Sequence, residues 1–253
     1  MPKEKAYKNA PITEALIDIR TIVSPDSNLN IFNEFFERVK DRYPRKEQRA
    51  TWKADFKFAE NTQLEFTPPV GGPDGFLLHS VPDTNKIVQV RRDGFTFNKL
   101  KPYSSWNEFS AEAQELWELY YEIIKPSKIV RLAVRYINRI EIPNTCINLR
   151  DYFLTVPEIS KSLNRDFSKF FLRLEMPDLK NDAMAILIET IAPIKSGDVL
   201  KVIPIVFDID VFKKVNFDKN DPKIWGIMEL LRSIKNDIFE NSLTDKAKSM
   251  FDE

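Results

Sequence analysis

The sequence predicts an α+β fold in which antiparallel, curved sheets carry long amphipathic helices. Three observations predict it. Apolar residues recur at the 3.6-residue helical period in three segments, the period switches to two between them, and Asp93-Gly94 divides two alternating runs as a hairpin turn does.

In chain order, Ala15, Ile17, Ile19, Thr21 and Val23 alternate with Glu14, Leu16, Asp18, Arg20 and Ile22, the pattern of a strand with one well-buried face. A helix follows on Ile31, Phe32, Phe35, Phe36 and Val39 and stops at Pro44. Strands are expected at 52 to 59, 62 to 68 and 75 to 81, with Pro68 to Gly75 as a long hairpin connection. That connection is not a phosphate loop, because no Gly-Lys-Ser/Thr follows it and its prolines remove backbone donors. The Asp93-Gly94 hairpin joins Ile87-Val88-Gln89-Val90 to Phe95-Thr96-Phe97. The longest helical stripe is Trp106, Phe109, Ala113, Leu116, Trp117, Tyr120 and Ile124, surrounded by glutamates; Ser105 with Glu108 opens it as a capping box and Pro126 ends it.

From Arg131 to Ile142 one strand face carries Leu132, Val134, Tyr136, Asn138, Ile140 and Ile142, and the other carries Arg131, Arg135, Arg139 and Glu141. A short helical piece near 148 to 154 and strands at 167 to 177, 183 to 192 and 199 to 212 lead to a third helix. Asp221-Pro222 opens that helix, and Ile224, Trp225, Ile227, Met228, Leu231, Ile234, Ile238 and Phe239 form its apolar side. Ser242 and Asp245 start a short terminal helix ending at Met250 and Phe251.

The two halves, 1–127 and 128–253, repeat an order: strand, helical piece, antiparallel strands, long Trp-bearing helix. Internal duplication explains the order and so does chance, since short α+β units are common. The architectures that fit are TATA-binding-protein-like or helix-grip-like, as two halves or one continuous domain.

Several blocks occur together: Asn9-Ala10-Pro11-Ile12-Thr13-Glu14-Ala15; Arg92-Asp93-Gly94-Phe95 with Leu100, Pro102-Tyr103 and Trp106; Arg131-Leu132 with Arg135-Tyr136-Ile137-Asn138-Arg139-Ile140; Asp208-Ile209-Asp210; and Phe239-Glu240 with Thr244-Asp245. On these blocks the chain resembles, over nearly its whole length, a sporadically distributed bacterial and archaeal family of proteins of about this size. The family supplies no catalytic residues to carry over. Its patchy distribution implies a role in a mobile or defence-associated system.

Composition narrows the function classes. Of the 253 residues 43% are hydrophobic and 30% charged, which excludes a disordered tail. Thirty-eight Lys and Arg balance thirty-eight Asp and Glu, so no whole-chain field draws it to nucleic acid or anionic lipid. A single cysteine, Cys146, excludes an intramolecular disulfide, and a single histidine, His79, excludes a zinc site built from several Cys or His ligands. His79 lies in a strand-like run without a nucleophile elbow. Met1-Pro2-Lys3-Glu4-Lys5 has no apolar stretch, and no segment approaches the roughly 20 apolar residues that span a bilayer, so a cytoplasmic protein is expected, with no membrane partner and no cofactor.

The most informative polar feature is the row Arg131, Arg135 and Arg139, spaced about 13 Å apart on one strand face, which Arg20, Arg91, Arg92 and Arg173 on other strands would widen. Such a row follows a nucleic-acid backbone or an acidic partner surface. The alternative is cross-strand pairing with Glu14, Asp18, Glu175, Glu189, Asp208 and Asp210 on the polar faces of their own strands. Asp208, Asp210, Glu14 and Asp18 are weak candidates for a Mg²⁺ or Mn²⁺ site, with nothing in the sequence to fix a further ligand. The basic segment from Glu37 to Lys57, with Tyr43 and Trp52 interleaved, is a second candidate for phosphate contact, against a solvated helix end. A small-molecule cavity over the aromatic helix stays open, with core packing the competing reading. The expected function is a non-catalytic interaction protein with a separately encoded partner, held through Arg131, Arg135, Arg139 and Arg20. Nucleic-acid binding through the same basic face, or metal-dependent chemistry on phosphates, is the alternative.

Overall fold

The computed structural model describes residues 7–23, 30–53, 56–58, 64–66, 70–81, 84–143, 148–163, 167–193 and 202–252. The chain is α+β. Nine strands form one antiparallel sheet in the order β2 (Arg45–Lys53), β5 (Val70–His79), β6 (Lys86–Arg91), β7 (Gly94–Leu100), β1 (Ile12–Ile22), β8 (Lys128–Pro143), β11 (Val202–Phe217), β10 (Ala183–Ile191), β9 (Phe171–Asp178), and β3 (Phe56–Phe58) pairs with β4 (Leu64–Phe66) as a separate ribbon.

The first half contributes β1 (Ile12–Ile22), α1 (Ile31–Val39), β2 (Arg45–Lys53), β5 (Val70–His79), β6 (Lys86–Arg91), β7 (Gly94–Leu100) and α2 (Trp106–Ile124). The second contributes β8 (Lys128–Pro143), β9 (Phe171–Asp178), β10 (Ala183–Ile191), β11 (Val202–Phe217), α3 (Lys223–Ser242) and α4 (Asp245–Ser249). In the first half β7 returns to pair with β1, in the second β11 returns to pair with β8, and β1 pairs with β8 to make the sheet continuous.

All three long helices lie on one face. Phe95 and Phe97 of β7 meet Trp117 and Phe109 of α2, Phe76 of β5 meets Phe32 of α1, and Phe207 of β11 meets Phe239 of α3. Pairing registers put these strand residues on a single side of the sheet. The aromatic stripe of α2 is therefore core: Trp117 and Tyr120 are fully buried, and the Trp117 indole N–H donates to Asn220 at 2.9 Å. Ser105 accepts from the Glu108 amide at the start of α2, as its capping-box position predicts. At α3 the capping oxygen is that of Asp221, which accepts from the Lys223 amide at 2.9 Å.

The structure redraws several elements. The strand expected at 52 to 59 instead pairs as β2 from Arg45, and the Gly/Pro-rich stretch is strand rather than connection from Val70 onward; Pro68, Pro69 and residues 199 to 201 lie outside the described residues. Gly75 shows why glycine belongs in that strand. A Cβ there would stand 2.0 Å from the Val90 carbonyl oxygen, so only a bare backbone lets β5 lie this close to β6. Asn138, the polar residue on the apolar face of β8, is 1% exposed in the core, where its amide donates to the Phe207 carbonyl at 2.9 Å.

Candidate functional site

The face of the sheet opposite the helices is uncovered by any described helix, and strand alternation puts the predicted charged residues there. Register places Glu14, Leu16, Asp18 and Arg20 of β1 beside Ile137, Arg135, Ala133 and Arg131 of β8, and Asp208 and Asp210 of β11 beyond them. Asn98 and Thr96 of β7 and Gln89 and Arg91 of β6 continue the face on the other side.

Asp18 is the hub. Its carboxylate accepts from Arg91 at 2.9 Å, Arg20 at 3.0 Å, Arg131 at 3.1 Å and the Thr96 hydroxyl at 2.6 Å. Burial pushes its pKa upward, but Arg91, Arg20 and the Thr96 hydroxyl outweigh burial and hold the carboxyl below its ordinary value of 3.8. Arg91, only 3% exposed, also donates to Asp93 at 3.0 Å and to Thr96 at 2.7 Å. Arg131 bridges to Asp210 at 3.0 Å and lies 4.3 Å over the Phe212 ring. Arg135 holds Asp208 by two parallel bonds, from Nε at 2.9 Å and from Nη2. For Asp210, burial raises the pKa against Arg131 and Arg135, and the nearby Asp18 and Asp208 add repulsion.

The face is concave. A cleft of about 460 Å³ is lined by residues from Arg49 on β2 across to Asp210 on β11. On a flat sheet six strand spacings of about 4.8 Å would separate these two by about 29 Å, so the sheet curls around the cleft.

The predicted residues divide accordingly. Arg20 and Arg131 join one network with Asp18 and Asp210, and Arg135 pairs with Asp208 beside it. Arg139 stands apart with Glu141 at 3.2 Å, and Glu14 accepts from Asn98 at 2.6 Å. Arg173 pairs with Glu175 on β9, and Arg92 is exposed beyond the end of β6. Among the described residues no group of three or more His, Cys, Asp or Glu stands close enough to hold a metal ion; the oxygens of Asp18, Asp208 and Asp210 are engaged by guanidinium groups. Glu189 overturns its expected place among the pairing carboxylates. It lies on the helix side of β10, 1% exposed, and neither carboxyl oxygen has a hydrogen-bond partner.

The basic segment near α1 is also committed. Arg42 pairs with Glu115, Arg45 with Glu47 and Arg49 with Asp74, while Tyr43 is 1% exposed and donates to Glu112 at 2.7 Å, out of reach of a stacking base. The side chains of Trp52 and Lys57 lie outside the described residues. His79, at the end of β5, has Nε2 3.4 Å from Glu47. The depth of Arg91 is the feature that sequence reasoning missed, although Gln89-Val90-Arg91 and Thr96-Phe97-Asn98 already alternate polar with apolar.

No family model, no curated protein and no solved structure matches the chain. No helix among the described residues is long and apolar enough to cross a membrane.

Proposed function

We propose that the chain is a non-catalytic interaction protein, an accessory or neutralising subunit that holds a separately encoded protein on the concave open face. The observation that carries this reading is the ion-pair network on the floor of the cleft. Buried ion pairs contribute little to stability over well-packed apolar residues, so a network centred on Arg91 and Asp18 supports a role in recognition. Its charges are fixed before a partner arrives, which lowers the ordering cost of association. Arg135 and Arg139 keep side-chain exposures of 42% and 43% and supply the reachable rim.

A protein partner is favoured over nucleic acid because Asp18, Asp208 and Asp210 lie among the arginines and would repel phosphate. The strand orders of the two halves, each closing its last strand on its first, support an internal duplication of the TATA-binding-protein-like kind, with halves 1–127 and 128–253 joined through β1 and β8. The setting implied by the family resemblance is a mobile or defence-associated system.

The test is capture from native lysate with tagged wild type and with Arg135→Gln/Arg139→Gln, followed by titration of the purified partner. The double variant should weaken association by about 2 to 5 kcal/mol. Equal affinity for both proteins overturns the assignment of the face, and nucleic-acid binding that collapses with added salt replaces it with the nucleic-acid reading.

A further inference from the structure

The two ends of the sheet differ in what they offer. At one end β2 presents Arg45, Lys46, Glu47 and Gln48, all exposed, the charged edge that discourages strand addition. At the other end lies β9, Phe171-Leu172-Arg173-Leu174-Glu175-Met176-Pro177-Asp178, with no buried residue and, among the described residues, no strand beyond it. Phe171 is 67% exposed, and the nearby Phe167 and Leu179 are exposed at 37% and 90%. Leu172, Leu174 and Met176 make the helix side of this edge apolar while Arg173 and Glu175 put charges of both signs on its open side, so it is a template for a strand of matching pattern.

Its sequence is complementary to itself. In an antiparallel pair the residues directly opposite share a face of the sheet, so a twofold axis perpendicular to the sheet must sit on a residue of β9. Centred on Leu174, it puts Arg173 opposite Glu175 of a second copy and Glu175 opposite Arg173, with Leu172 opposite Met176 and Phe171 opposite Pro177. Centred on Arg173 or Glu175, it would instead set two like charges face to face. Only the Leu174 register joins both charge pairs and both apolar pairs. In the single chain Arg173 and Glu175 turn to each other and remain 42% and 52% exposed, available for exchange across the axis.

We propose that β9 is a homodimer interface in which two copies of this chain pair edge to edge, antiparallel, about a twofold axis at Leu174. The axis keeps the helices of both copies on one side and their open faces on the other. Two clefts then share one continuous sheet, and the proposal holds whether or not those clefts bind a partner.

Sedimentation velocity over a concentration series tests it on wild type, Arg173→Glu, Glu175→Arg and the double swap Arg173→Glu/Glu175→Arg, each checked by thermal melt. Wild type should dimerise. Each single reversal sets like charges opposite each other at two places and should raise the dissociation constant at least about tenfold, whereas the double swap restores complementarity and should return it to within about threefold of wild type. Hydrogen exchange at the β9 amides of wild type should slow as concentration rises, a readout that needs no variant. A wild type that stays monomeric overturns the proposal and leaves the edge to a strand of another protein. A dimer indifferent to the single reversals, a double swap that stays monomeric, or β9 exchange independent of concentration each overturns it as well.

Discussion

Tyr136 and Arg135 are neighbours on β8 and meet opposite surroundings. Tyr136 is 2% exposed beneath α3, with the Lys235 ammonium 4.0 Å over its ring and the Tyr103 hydroxyl 3.0 Å from its own. Arg135 lies across the sheet, forked onto Asp208 and open to solvent at its outer side. The same contrast runs along the whole sheet. One face is a closed aromatic and aliphatic layer under three helices, and the other is a charge network in which Asp18 alone answers three arginines. Glu189 is the exception that shows what the partners do. It is buried more deeply than Asp18 and sits on the apolar side between Phe207 and Leu172, where neither carboxyl oxygen finds a partner. Burial therefore pushes its pKa up to about 8, whereas Asp18, with three guanidiniums, is held below its ordinary value.

The contrast breaks most visibly on the helix side. Trp117→Ala removes a fully buried ring that stacks on Tyr120 and meets Phe95 edge-on, and should cost about 3 to 5 kcal/mol by denaturant titration. On the open side, Arg91→Met should cost about 3 kcal/mol, the lower end for a broken buried pair, because Asp18 keeps Arg20 and Arg131. A loss for Arg91→Met larger than that for Trp117→Ala would mean that the open face is as closed as the helix side.

Glu189 sharpens the comparison through pH. Between its ordinary value of 4.5 and about 8 the native chain holds a proton that the unfolded chain has released, so stability should fall as pH rises through that window and level off above it. Glu189→Leu should remove this slope and stabilise the fold by on the order of 2 kcal/mol at pH 8, with little change at pH 4. Melting curves at the two pH values check it, and a slope that survives the substitution assigns the titration to another group.

Much of this architecture was legible because alternation is local. Leu132 to Ile142 and Ala15 to Thr21 announced both faces of the central strands, and the Trp106–Ile124 stripe announced which surface of α2 is core. The charged face was legible as a row of arginines with carboxylates to match. What escaped were features set by long-range register. Gly75 reads as a turn residue until β6 is known to lie against it, and Glu189 reads as a polar-face residue until its parity with Phe207 is known. Asn138 reads as a break in the core until the Phe207 carbonyl appears beside it. The concavity is also a property of the whole sheet, since it takes residues from β2 and β11 to line one cleft.

The smallest stability effect belongs to Arg135, and it carries the most functional information. Its pKa lies above the ordinary guanidinium value because Asp208 hydrogen-bonds to it, so it stays charged at every accessible pH and no titration will report on it. Arg135→Gln keeps a donor near Asp208 while removing the charge. With its side chain 42% exposed, the pair is partly screened by solvent and should be worth about 1 kcal/mol or less to the fold. At a desolvated contact with a partner the same substitution should cost roughly 2 to 5 kcal/mol of binding, because Asp208 would then be buried without its cation. The ratio of the two losses is the measurement, from a thermal melt of the free chain and a titration with the partner identified by capture. A binding loss several times the folding loss assigns Arg135 to recognition. Equal small losses reduce it to a surface pair, and the open face then loses its claim to be where the partner sits.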